Sequence, residues 1–344
     1  MVLPRSVVAR ASLSFVVALL ALVLAPPSRA QRSPPAARAV PANVGLPASG
    51  ALPAELRARL ARIPDEGTPD PGEHYPVSNE WRHDLWLPAL RDLGGVFVGV
   101  GPDQCYTLAA MQNASLALLV DFDPLVPLVH RMYEVLVPAS ESPAVLVARF
   151  EDARAEETRA LLASGLVDDP RRDAILRSFD RHRPRWARYA RAVQRSVRQG
   201  VAGSWLADPA LYARVRTMFQ QGRIVARNGD VTGARTLREI GAVSRELDAP
   251  VRVLYFSNAE QFFSYTPQFV ENVRSLRTDE RSVVLRTFRA RGASYPARDR
   301  WHYVVEPLTG FLERLGAGLR RSRELELEIV ARRGGVPGFT QLER

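Results

Sequence analysis

The sequence predicts an α/β fold: a mostly parallel sheet with helices on both faces, interrupted by a helical insertion. Three observations point to it. Short apolar runs alternate with amphipathic stretches along most of the 344 residues, and turn residues or helix caps separate them. The run "GVFVGVG" (95 to 101) ends in Gly99 and Gly101, where a strand turns into a helix. Between about 142 and 221 the alternation stops, and helical periodicity punctuated by Asp169-Pro170, Arg183-Pro184 and Asp208-Pro209 replaces it. Such strand–helix alternation builds an open, doubly wound, Rossmann-like sheet.

Residues 1–30 have the three parts of a secretory signal. Arg5 and Arg10 form the basic start, Leu13 to Ala25 the apolar run, and Ser28 and Ala30 the small positions before a cut at Gln31. The run falls short of the roughly 20 residues of a spanning helix. A periplasmic or secreted mature chain without a membrane span is expected; a misplaced start codon is the alternative. Residues 31–55, rich in Pro, Ala and Ser, read as a flexible linker. Residues 56–344 form the α/β domain.

Within it the first strand covers 95–100, and a helix follows from Gln104 to Gln112. The second strand is "LALLVD" (116 to 121), and the next helix carries Leu125, Val129, Met132, Tyr133 and Leu136 on one face. After the insertion come "GRIVARNGD" (222 to 230), a helix that Thr232 could cap, "VRVLYFSN" (251 to 258), "SVVLRTF" (282 to 288) and "WHYVVEP" (301 to 307). The tail from Glu313 is helical and charged.

Composition excludes several classes. The formal charge of +10 falls to +7 once Arg5, Arg10 and Arg29 leave with the signal, and the chain has no Lys. Most Arg residues are interleaved with acids, as in "RFEDARAEETRALL", so a nucleic-acid partner is not expected. One Cys allows no internal disulfide. The five His residues lack metal-binding spacing, so no metal is expected.

In an open parallel sheet, ligands sit at the carboxyl ends of the strands, near the switch in strand order. Gly99 and Gly101 would let a ligand approach the backbone, but Gln104 stands where a dinucleotide fingerprint has its third glycine. Asp121 follows Gly101 by 20 residues, the spacing of an acid that binds ribose hydroxyls; Asp123 could cap the next helix. Asp230 reads equally as a turn residue or a ligand contact. "YFSNAEQFF" places polar Ser257, Asn258, Glu260 and Gln261 between aromatics, as in a pocket. Cys105, in the first turn of a helix, is a weak candidate nucleophile for a hydrolase or transferase.

Gly99, Gly101, Asp121, Asp230 and Asn258 fall in order where class I S-adenosylmethionine-dependent methyltransferases carry their glycine loop, their acids and a polar acceptor contact. The runs "YPVSNEW", "GVGPDQCYTLAA", "GDVTG" and "YFSNAEQFF" resemble a bacterial family of uncharacterised proteins with such a methyltransferase-like core, over about residues 75 to 305. The resemblance implies S-adenosylmethionine as cofactor. Gly99 and Gly101 would cradle its amino-acid part, Asp121 its ribose and Asp230 its adenine, while Asn258 and Glu260 would position the methyl acceptor. Methyl transfer is an in-line displacement carried by positioning. The alternative is a non-catalytic protein that keeps the fold and binds another small molecule in the same cleft.

Overall fold

The computed structural model describes residues 45–343 apart from Asp70, Gln199, Arg333 and Gly334. The expected signal at 1–30 lies outside the described residues, as does the linker up to residue 44. Seven strands form one sheet: β1 (Val96–Gly99), β2 (Leu116–Asp121), β3 (Ile224–Asn228), β4 (Val251–Tyr255), β5 (Val283–Phe288), β6 (His302–Pro307) and β7 (Phe339–Gln341). Their order is β3-β2-β1-β4-β5-β6-β7. The first five strands of that row are parallel; β6 runs antiparallel to β5, and β7 parallel to β6. From β1 the chain builds outwards to β3, then crosses back to β4, so the switch point lies between β1 and β4.

Strands buried on both faces read as unbroken apolar runs. In β1, Val96 and Val98 face one apolar layer and Phe97 the other. One layer holds α1 (Ala54–Ala61), α2 (Thr236–Glu246), α3 (Pro267–Ser275) and the last two helices, Leu308–Gly316 and Ser322–Ala331. The other holds the helices Gln104–Gln112 and Leu125–Leu136 and the stretch expected as an insertion. That stretch comprises helices Pro143–Ala148, Ala155–Gly165, Arg172–Gln194 and Pro209–Gln220, with a two-stranded hairpin (Val197–Arg198, Val201–Ala202) that the sequence did not suggest. Ser142 and Asp208 cap the first and last of these helices through their side chains. No helix among the described residues is long and apolar enough to cross a membrane.

Two local expectations are corrected. The end of the expected flexible linker is fixed: Arg223 donates to the carbonyls of Pro47 and Gly50, and Leu52 is buried. Thr232 does not cap a helix but bonds back to Asp230, and α2 starts only at Thr236.

Candidate functional site

The carboxyl ends of the strands are crossed by the chain itself. Residues 64–69 and 71–83 form a strap that runs from the end of β3, past β2 and the switch point, to β5 and the start of β6. At β3, Asn228 N–H donates to Asp65 (2.8 Å) and Asp230 N–H to Glu66 (3.0 Å). At β2, the Thr68 hydroxyl donates to the Phe122 carbonyl, and His74 Nδ1 lies 2.9 Å from Asp123 Oδ1. Beyond β5, the backbone N–H groups of Trp81 and Arg82 both donate to the Tyr303 hydroxyl.

Glu80 anchors the middle of the strap and is the site residue that sequence reasoning missed. It is 2 % exposed and accepts hydrogen bonds from the hydroxyls of Tyr255 (2.6 Å), Ser257 (2.6 Å) and Thr287 (2.8 Å). His83 Nε2 stands 3.5 Å away. Burial pushes the Glu80 carboxyl up, but His83 and the hydroxyl donors outweigh it and hold the pKa below the usual range. Burial likewise pulls the His83 pKa down, and Glu80 more than reverses this, so each of the two favours the charged form of the other. Ser257 has φ +54, a left-handed conformation that costs a non-glycine residue about 1 kcal/mol; the bond to Glu80 is made from that turn. Glu80 lies within "YPVSNEW", so the run that carried the resemblance contained it without revealing its role.

Gly99 and Gly101 lie at the switch point as expected, and Val100 N–H donates to the Tyr255 carbonyl across it. Both glycines are committed to internal packing. A Cβ on Gly99 would lie 2.5 Å from the Phe97 ring and 3.2 Å from Cys105 Sγ. Gly101 has φ +109, and a Cβ there would meet the Gln104 side chain at 2.2 Å. Its N–H donates to Asp121, and its carbonyl lies 3.2 Å from His130 Nε2. Burial pushes the His130 pKa down to about 4, so the ring is neutral, with Nδ1 bonded to the Tyr106 hydroxyl. Gly101, Pro102, Asp103 and Gln104 are all buried.

Asp121 ends β2 and stays partly accessible. Burial raises its pKa to about 7, against the hydrogen bonds from Asp123 N–H (2.8 Å) and Gly101 N–H. Asp123 holds the first turn of the following helix through Leu125 N–H. Asp230 takes the turn role: its Oδ1 accepts from the N–H and hydroxyl of Thr232, each at 2.7 Å. Asn258 is half-buried beside Ser257, at the same end of the sheet as Gly101. Glu260 belongs to the opposite layer, where it accepts from Tyr265 (2.8 Å) and Arg286 Nε (2.6 Å) and is fully buried. Cys105 is buried, burial pushes its thiol well above the usual range, and it bonds only to the Val100 and Gly101 carbonyls; no activated thiolate forms there. No group of three or more His, Cys, Asp or Glu among the described residues is arranged to hold a metal.

Fold and site together define an α/β protein with a Rossmann-like sheet whose strand carboxyl ends are crossed by a segment that precedes β1. The chain belongs to the family described as Domain of unknown function (DUF7790), whose model matches residues 75–343. That match begins inside the strap and takes in Glu80 and every candidate residue above. No curated protein matches the chain.

Proposed function

We propose that this is an exported, non-catalytic ligand-binding protein that keeps a methyltransferase-like fold. One observation carries the reading: Gly101 and Asp230, expected at the cofactor, and Glu260, expected at the methyl acceptor, are bonded to or packed against the chain itself. Gln104 lies on Gly101, Glu66 and Thr232 take Asp230, and Tyr265 and Arg286 take Glu260. These residues do not fit S-adenosylmethionine while the strap is in place. What stays partly accessible is Asp121 at the β2 end, with exposed Phe122 (40 %) next to it in the chain and exposed Tyr75 (49 %) held nearby through its N–H bond to Asp123. Aromatic faces beside a carboxyl acceptor suit a small planar molecule with N–H or O–H donors.

A second reading is favoured by the order of Gly101, Asp121 and Asn258 on adjacent strand ends. Once the strap has left, the same crevice would serve methyl transfer from S-adenosylmethionine, Asp121 holding the ribose and Asn258 the acceptor. Titration calorimetry on the chain beginning at Gln31 decides between them. We expect no saturable binding of S-adenosylmethionine up to about 1 mM, and a co-purifying small molecule in native mass spectra of protein from its own host. Micromolar binding that Asp121→Ala abolishes would establish the second reading instead. N-terminal sequencing should find Gln31 outside the cytoplasm; an intact Met1 in the cytosol would remove export from the proposal.

A further inference from the structure

The helix Arg172–Gln194 departs from the interleaved charge pattern of the rest of the chain. Its inner face buries Ile175, Phe179, Trp186, Tyr189 and Val193. Its outer face carries Arg177, Arg181, Arg185 and Arg188, continued by Arg195 at the C-cap, all exposed. At 100° per residue, Arg177, Arg181, Arg188 and Arg195 fall within about 40° of one line, which runs for about 27 Å. Acids hold the flanking cations instead: Arg183 pairs with Asp152 and Arg191 with Glu151. The two acids of the helix itself are also taken, Asp173 by Arg172 and Asp180 by Arg159. Among the described residues, none of those four arginines has an ion-pair partner.

We propose that this face docks on an anionic lipid surface. The charge is complementary, and the four arginines lie on one exposed side of the helix and its C-cap, so that side can face a plane of head groups. Apolar groups lie beside it. The hairpin that follows the helix exposes Val197 (50 %) next to Arg198, and Tyr75 lies near Arg185, whose guanidinium bonds to the His74 carbonyl. Cations among the head groups, with Tyr and Val at the acyl boundary, are the chemistry of interfacial binding. The row itself carries no aromatic side chain on which bases could stack, so a single-stranded nucleic acid is a poorer fit. Each arginine near an anionic surface raises affinity about fivefold, so four together raise it several hundredfold.

The test is co-sedimentation of the full mature chain with vesicles holding about 30 % phosphatidylglycerol, beside uncharged vesicles. Binding is expected to the anionic vesicles alone, and to be lost in roughly 0.5 M salt. The variant R177Q/R181Q/R188Q/R195Q, which keeps helix propensity, should bind at least about 100-fold more weakly while its thermal melt stays at the wild-type temperature. A mutation-insensitive association, no association, or tighter binding to duplex DNA through the same four residues would each overturn the proposal. If the variant melts early, R181Q/R188Q, with half the row removed, should still weaken binding more than tenfold. This inference stands apart from the ligand reading: vesicle binding and calorimetry at Asp121 can fail separately.

Discussion

On one face of the sheet Glu80 is buried among Tyr255, Ser257, Thr287 and His83; on the other, Arg286 is buried between Glu260 and Glu306. Adjacent residues of β5 supply both, since Arg286 and Thr287 point to opposite faces. The difference is in what holds each charge. Arg286 lies over the Phe311 ring (4.4 Å), and its carboxylates come from β6 and the turn after β4, so every partner belongs to the packed core. Glu80 belongs to a strap without regular structure, and its partners are mostly neutral hydroxyls. A charge locked between elements specifies the core; a charge on a strap can leave with it.

The largest expected effect is on the locked side. Arg286→Leu leaves the fully buried Glu260 without a cation and Glu306 with only its ion pair to Arg314, and should cost about 3–5 kcal/mol in urea unfolding. A loss below about 1 kcal/mol would mean that both acids become neutral at little cost, and that side would no longer be the tighter one.

Glu80→Ala should cost less, about 2–3 kcal/mol, because hydroxyls that lose an acceptor can turn to other partners. It should also act locally. Hydrogen exchange should speed up across residues 64–83 and leave β1, β2 and β4 protected. Uniform acceleration would show that the strap unfolds only with the sheet and that Glu80 is as locked as Arg286.

The Glu80–His83 pair also gives the strap a pH window. Glu80 has a lowered pKa, so its contribution is present above the ordinary 4.5 and is lost as pH falls through the folded value. His83 has a raised pKa, so its contribution is present below the ordinary 6.5 and is lost as pH rises through the folded value. Strap protection should therefore peak between pH 4.5 and 6.5. His83→Gln should remove the decline on the alkaline side; a decline that persists in this variant would have to come from another group.

How much of this could be read in advance follows from where the information sits. Strands 1 to 6 and the helices between 142 and 221 announce themselves because burial on two faces, or one, imposes a period on many residues at once. So does the placement of Gly101 and Asn258 at the same end of two neighbouring strands, which follows from strand order alone. The strap has no period. Its placement rests on single polar residues bonded to partners far along the chain, 175 residues away for Glu80 and Tyr255. The roles of Asp121, Asp230 and Glu260 were ambiguous for the same reason, since an acid after a strand can meet a ligand, a turn or an arginine. Alternation along "YFSNAEQFF" sends Tyr255 and Ser257 to the strap and Glu260 to the far layer, and nothing in nine letters marks that division. The short β7 (Phe339–Gln341) carries too few residues for a pattern.

The smallest expected effect concerns the carboxyl group left at the edge of the strap. Asp121 has its pKa raised to about 7 by burial, against 3.8 in an unfolded chain. Between those values the unfolded state gives up its proton while the folded state keeps it. Asp121 thus lowers stability as pH rises from about 4 to about 7, and the deficit is constant above that. Asn cannot ionise and still offers one oxygen to the Asp123 and Gly101 N–H groups. Asp121→Asn should therefore melt close to wild type at pH 4 and gain relative to it at pH 8, by no more than about 1 kcal/mol given the partial exposure of the group. Thermal melts of both proteins at the two pH values measure the difference. An equal gap at both would mean that Asp121 is ionised throughout and that burial at the end of β2 is too shallow to hold its proton.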